Sequence, residues 1–138
     1  MRFYFCSFFF LLNSFAFSFA GKTKVVPPDP DYVPALSAAD HFLQAWESRD
    51  YEAGVVMLTD AAKQSISESQ LDELFGAEKS GSRGFELVHG KKLHPGRYEF
   101  PVVLFEGGKG KGRNAASRYS RLVVVREGKD EWVIDQLP

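Results

Sequence analysis

Apolar residues recur at helical spacing between residues 37 and 75, and each recurrence follows a helix-start signal. Ser37–Asp40 and Ser67–Gln70 have the sequence of a capping box, and Asp50 is of the type that caps a helix N-terminus. Gly76 follows the last apolar residue, as is typical of a helix C-terminus. The pattern predicts three consecutive helices, and their core-facing residues include Phe42, Ala45, Trp46, Leu71, Leu74 and Phe75.

The hydrophobic period changes from helical to alternating after residue 80. A short strand is expected over Phe85–His89, and a longer one alternates through Tyr98–Leu104, where Pro101 indicates an edge strand or a bulge. Residues 117–126 predict a central strand, because Leu122–Val125 within them are apolar on both faces of the strand. Trp132–Ile134 predicts the last strand. Helices followed by strands indicate the α+β class, with three helices packed on a curved, mainly antiparallel sheet of four or slightly more strands.

The chain begins with the pattern of a secretory signal. Arg2 precedes an apolar run over Phe8–Phe19, and Ser18–Ala20 ends in small residues. We expect cleavage after residue 20 and a secreted or periplasmic protein, without stable membrane insertion afterwards. The alternative is an uncleaved anchor, although the run is shorter than the about 20 apolar residues that span a bilayer. Cys6 is the single cysteine and would leave with the signal, so we expect no disulfide.

Four prolines among residues 21–36 predict a Pro-rich linker, and residues 37–138 are expected to form one domain. The sequence has 17 basic and 18 acidic residues, but residues 21–78 hold 4 basic and 11 acidic ones whereas residues 79–138 hold 12 and 7. The basic half includes a glycine-rich loop with Lys109, Lys111 and Arg113. This loop is a candidate site for an anionic partner, and the alternative is an ordinary solvated loop. The negative net charge and the signal argue against nucleic acid.

Three short motifs resemble the nuclear transport factor 2-like superfamily, the cystatin-like cone that includes SnoaL-like and ketosteroid-isomerase-like proteins. The motifs are Ala39–Trp46 and Asp50–Ala53 in the helical part and Glu131–Asp135 in the last strand. The form of the first helix is similar to that of exported bacterial members. The resemblance implies a sheet folded around the first helix, with a concave face between them.

A concave, mostly apolar face suits a small ligand, and the residues expected to line it are Trp46, Tyr98, Phe100 and Trp132. Isomerase chemistry in such a cone needs a carboxylate base and a hydroxyl that stabilises an oxyanion. The candidates for those roles are Tyr98, Tyr119 and Asp135, and the alternative is that they are core, rim or solvated residues. The three histidines lack the spacing of a metal site, and we expect neither a metal nor a cofactor.

The leading functional hypothesis is an exported, non-catalytic module that binds a small ligand or a protein partner through the sheet or its concave face. The second is a small-molecule enzyme of the isomerase or dehydratase type, which uses a tyrosine and a carboxylate in the cone. The third is a factor that forms a homodimer through the sheet.

Overall fold

The computed structural model describes residues 27–76, 81–107 and 116–138. Within these residues the helices are α1 (Tyr32–Ser48), α2 (Tyr51–Val56), α3 (Asp60–Ser65) and α4 (Glu68–Phe75). The strands are β1 (Arg83–Leu87), β2 (Lys91–His94), β3 (Arg97–Glu106), β4 (Ala116–Glu127) and β5 (Glu131–Gln136). The predicted α+β class is confirmed. The signal and the glycine-rich loop residues Lys109, Lys111 and Arg113 lie outside the described residues.

Helix α1 starts earlier than predicted, at Tyr32 rather than after Ser37. Pro34 is the third residue of the helix, where a backbone N–H would have no helical partner, so the proline is tolerated. The expected capping box at Ser37–Asp40 is therefore wrong, and the Asp40 carboxylate instead accepts a hydrogen bond from the Gln44 side chain at 2.6 Å. The last part of the predicted linker belongs to this helix.

The other helix-start signals are confirmed. Asp50 accepts from the backbone N–H of Ala53 at 3.0 Å, and Ser67 forms a reciprocal capping box with Gln70. Gly76 ends α4 in the left-handed region with φ 53°. The predicted number of helices is wrong because α3, capped by Thr59, buries only Ala62 and so leaves no apolar stripe in the sequence.

The described strands form one antiparallel sheet in the order β1-β3-β4-β5, and β2 pairs with β3 beyond the end of β1. The predicted central position of β4 is confirmed. The first strand lies two residues before its predicted position, over Arg83–Leu87. Strand β2 was not predicted, because its residues Lys91–His94 are exposed and show no alternation.

The expectation of an edge strand or a bulge at Pro101 is wrong. Strand β3 has neighbours on both sides, and its register with β4 runs unbroken through Pro101 and its partner Arg121. The Pro101 carbonyl accepts a hydrogen bond from the backbone N–H of Val88 at 2.9 Å. Val88 lies between the end of β1 and the start of β2. The carbonyl and the ring nitrogen of Pro101 face the same side of β3, so the missing N–H lies opposite the interval between two short strands and outside both of their ladders.

Helix α1 lies in the curve of the sheet and fills the middle of the cone. Apolar side chains of α1 meet the inward-facing residues of β3, β4 and β5, as the alternation in Tyr98–Leu104 predicted. No helix among the described residues is long and apolar enough to cross a membrane. The largest fully buried side chains are Trp46, Tyr98, Phe42, Phe75, Phe100, Leu43, Leu104, Leu122, Ile134, Val102 and Val124.

A substitution at Gly54 in α2 tests how closely Phe75 packs against this helix. A Cβ at this position would lie 2.0 Å from Cζ of Phe75, so the aromatic ring would have to move. Helix propensity alone predicts that Gly54→Ala stabilises the protein by about 1 kcal/mol. We expect the reverse, a loss of about 1–3 kcal/mol in urea unfolding, because overpacking outweighs propensity.

The matched control is Gly84→Ala in β1. Its Cβ would meet only the Glu47 carboxylate, at 3.9 Å, so the free energy of unfolding should change by less than about 0.5 kcal/mol. Equal effects of the two substitutions would contradict the packing of Phe75 against α2.

Candidate functional site

The inner face of the sheet has an apolar middle and two polar ends. At one end, Arg83 of β1 pairs in register with Glu106 of β3, and Arg118 of β4 lies opposite Leu104. We call this the Arg83 end. At the other, the Tyr98 end, Lys92 lies opposite Tyr98 and Arg126 opposite Trp132.

Two aspartates from the segment before α1 close the Tyr98 end. The Tyr98 hydroxyl donates to Oδ2 of Asp29 at 2.5 Å, and Nζ of Lys92 lies 2.8 Å from the same oxygen. Arg126 donates to Asp31 at 2.9 Å. Residues that the sequence assigned to a linker therefore attach the start of α1 to the sheet.

The hydrogen bond from Lys92, followed by that from Tyr98, lowers the pKa of Asp29 to about 2. Burial raises the pKa of the Tyr98 hydroxyl, and the hydrogen bond to Asp29 raises it further. A general base works best with a pKa near the working pH, so a carboxylate as acidic as Asp29 is a weak proton acceptor. The pair is better suited to holding the segment in place than to abstracting a proton.

Aromatic rings fill the rest of the Tyr98 end. The ring of Tyr98 packs against those of Trp132 and Phe100, with centroids 5.7 and 6.3 Å apart. Tyr32 of α1 stacks on His89 at 5.1 Å and lies 5.8 Å from Phe100. Of the four residues expected to bind a ligand, Tyr98 thus contacts Phe100 and Trp132, and Tyr98 and Phe100 also contact Tyr32 of α1. Their role in ligand binding stays a prediction.

An open cleft of about 470 Å³ lies at the Arg83 end, within the size range of small-molecule sites. It is formed by α4, the segment before it, the facing ends of β3 and β4, and the residues that follow β5. Trp46 is the one predicted ligand-binding residue that contributes to it. The lining residues are Trp46, Ile66, Gln70, Glu73, Leu74, Glu106, Arg118, Leu137 and Pro138.

Arg83 lies over the indole of Trp46, with its guanidinium carbon 4.8 Å from the ring centroid. Its Nη1 donates to the backbone carbonyls of Trp46 at 3.0 Å and Phe75 at 2.5 Å. Its Nη2 lies 3.5 Å from Oε1 of Glu106. Among the described residues, neither Nη2 of Arg83 nor Nε1 of buried Trp46 has a hydrogen-bond partner. Burial lowers the pKa of Arg83, and the charge of Arg49 lowers it further, against the effect of Glu106.

The remaining candidates lie elsewhere. Tyr119 is 83% exposed on the outer face of the sheet, opposite Val103. Asp135 pairs with Arg97 at 2.8 Å and accepts from the Thr59 hydroxyl at 3.1 Å, so the carboxylate that meets Tyr98 is Asp29 and not Asp135. Among the described residues, no group of three or more His, Cys, Asp and Glu side chains could hold a metal ion.

Sequence reasoning missed Asp29 and Arg83. Asp29 stands among prolines, and nothing in that pattern shows that it returns to the sheet. Arg83 follows a Gly-Ser turn. The one signal for its burial is that it alternates with Phe85 and Leu87, which places all three on the inner face of the strand.

The stability that Asp29 contributes by binding Lys92 and Tyr98 depends on pH. Because the folded-state pKa of Asp29 is about 2, against 3.8 for an unperturbed group, its stabilisation is complete above about pH 4 and is lost as the pH falls through 2. Asp29→Asn should therefore lower the urea midpoint at neutral pH, and this difference from the unmodified protein should shrink between about pH 4 and 2.

Asp130→Asn, in the exposed turn between β4 and β5, is the control and should follow the unmodified protein across this range. A pH-independent effect of Asp29→Asn would contradict the assigned ion pair.

No protein-family model matches the chain, and no curated protein matches it in sequence. Solved structures do match. A ketosteroid isomerase-like protein from Erwinia carotovora atroseptica SCRI1043 aligns over 78% of this chain and 92% of its own, with a TM-score of 0.60 and 14% identity. A protein assigned as a calcium/calmodulin-dependent protein kinase type II association domain, from Thiobacillus denitrificans ATCC 25259, aligns over 78% and 90%, with a TM-score of 0.57 and 17% identity. The resemblance seen in the sequence motifs is thus confirmed at the level of structure: the chain has the nuclear transport factor 2-like fold.

Proposed function

We propose that this protein is an exported, non-catalytic module that binds a small molecule in the cleft at the Arg83 end. The observation that carries the proposal is a cleft of about 470 Å³ that is lined by a buried tryptophan, whose N–H has no acceptor in the part of the chain that the structure describes. The fold, shared with a ketosteroid isomerase-like protein, supports a ligand-binding role. Export rests on the sequence of residues 1–20.

The composition of the cleft indicates an amphiphilic ligand. The lining is more polar than apolar: the apolar surface comes from Ile66, Leu74 and Leu137, the hydrogen-bond donors from Gln70 and Arg118, and the carboxylates from Glu73 and Glu106. Small-molecule sites typically combine an apolar lining with a few placed polar groups. A ligand with an apolar body and one polar head would satisfy both parts.

The hydrogen bond between Tyr98 and Asp29 favours the second candidate, an enzyme of the isomerase or dehydratase type. Such an enzyme would use the Tyr98 end rather than the cleft. The low pKa of Asp29 and its ion pair with Lys92 make it a weak base, so the binding module is the better-supported proposal.

A homodimer through the sheet stays a prediction. The outer face of the sheet carries the exposed side chains of Tyr119 and Phe105. An anionic partner for the loop of Lys109, Lys111 and Arg113 also stays a prediction.

Binding in the cleft can be followed by the fluorescence of Trp46 in a Trp132→Phe background, where it is the single tryptophan. Octanol and octanoate serve as probes with the same apolar tail. We expect at least one of them to change the emission saturably. Leu74→Gln should weaken its binding about tenfold, because the tail loses apolar contact inside the cleft.

Leu93→Gln is the matched control, since Leu93 is exposed on β2 and does not line the cleft. Circular dichroism would verify that both variants fold. The proposal fails if neither probe changes the emission, or if the two leucine substitutions weaken binding equally.

A further inference from the structure

Two buried N–H groups next to the cleft have no acceptor within residues 27–76, 81–107 and 116–138. They are Nε1 of Trp46 and Nη2 of Arg83, and the guanidinium lies 4.8 Å from the indole centroid. A buried donor without a partner costs stability, and most buried donors in native proteins are satisfied. Trp46 lines the cleft, and so does Glu106, the ion-pair partner of Arg83, so both donors lie where an acceptor that enters the cleft would arrive.

The partner nearest to Arg83 is loosely held. Oε1 of Glu106 lies 3.5 Å from Nη2, close enough for an ion pair but too long for a good hydrogen bond. The Arg83 side chain is 2% exposed, whereas that of Glu106 is 51% exposed and lines the cleft. The Arg83 side chain is therefore enclosed by the protein, whereas the Glu106 side chain can turn into solvent when a ligand takes its place.

Arg83 is fixed by contacts that a ligand would not disturb. Its Nη1 is bound by the carbonyls of Trp46 and Phe75, and its plane rests on the Trp46 ring. A guanidinium held in this way can receive a planar carboxylate without further ordering. Arg118 adds a second positive charge at the cleft, whose lining also holds the carboxylates of Glu73 and Glu106. Burial lowers the pKa of Arg83, which is the effect of a guanidinium that has lost water.

We propose that the cleft selects small amphiphiles with a carboxylate head, which displaces Glu106 and accepts hydrogen bonds from Arg83 Nη2 and Trp46 Nε1. The apolar body then lies on Ile66, Leu74 and Leu137. Glu106 acts as an internal competitor that occupies the site when no ligand is bound. This inference rests on the proposed function, because it concerns the same cleft.

The comparison of octanoate with octanol tests the head group in the Trp132→Phe protein. We expect octanoate to bind about tenfold more tightly at neutral pH and low salt, and this advantage to shrink as salt screens the charges. Glu106→Gln should strengthen octanoate binding about threefold or more relative to octanol, because the competing negative charge is removed.

Two arginines of β4 supply a matched pair of variants. Arg118→Gln, at the cleft, should weaken octanoate binding severalfold, whereas Arg121→Gln should not, because Arg121 lies on the outer face near Glu99 at 3.8 Å. Both side chains are exposed, so both variants should fold.

The outcomes separate the two proposals. If octanol and octanoate bind equally, or if Glu106→Gln leaves their affinity ratio unchanged, carboxylate selection is overturned while small-molecule binding stands. If neither probe binds, both proposals fall.

Discussion

Burial of one face of α1 inside the curve of the antiparallel sheet is the constraint on which the rest of the structure depends. Phe42, Leu43 and Trp46 of the helix meet the inward side chains of β3, β4 and β5, and this contact contains most of the fully buried apolar surface. Because the hydrophobic effect scales with buried apolar area, this interface dominates the stability of the fold. It also fills the middle of the cone, so space for a ligand is left at an end.

The two ends of the inner face solve the same electrostatic problem in different ways. Each end brings polar or charged side chains next to the apolar interior, where unpaired charges are costly. At the Tyr98 end, Asp29 and Asp31 supply counter-ions with bonds of 2.5 to 2.9 Å. At the Arg83 end, Oε1 of Glu106 lies 3.5 Å from Nη2 of Arg83, and two donors lack acceptors among the described residues. The Tyr98 end is therefore closed by residues of the chain itself, whereas the Arg83 end has room for a ligand.

Helix ends and strand faces could be predicted where the interactions that determine them join residues close in the sequence. Asp50 and Ser67 cap helices because their side chains reach an amide three residues on, and Gly76 ends a helix because its backbone tolerates positive φ. The alternation from Tyr98 to Leu104 showed which face of β3 is buried. Prediction failed at Pro34 and Pro101, because a proline is harmless wherever its missing N–H has no partner to lose. That condition depends on helix position and on neighbouring strands.

The sequence by itself determined the fold class, the alternation in β3, the helix caps at Asp50, Ser67 and Gly76, and the resemblance to the cone-shaped superfamily. Tertiary structure alone decided which polar groups meet. Tyr98 meets Asp29 rather than Asp135, and Arg83 rests on Trp46 beside Glu106. Capping and strand alternation act over a few residues and leave a local pattern. Ion pairs and clefts join residues that are far apart in the chain, and their geometry exists only after the sheet has curved around α1.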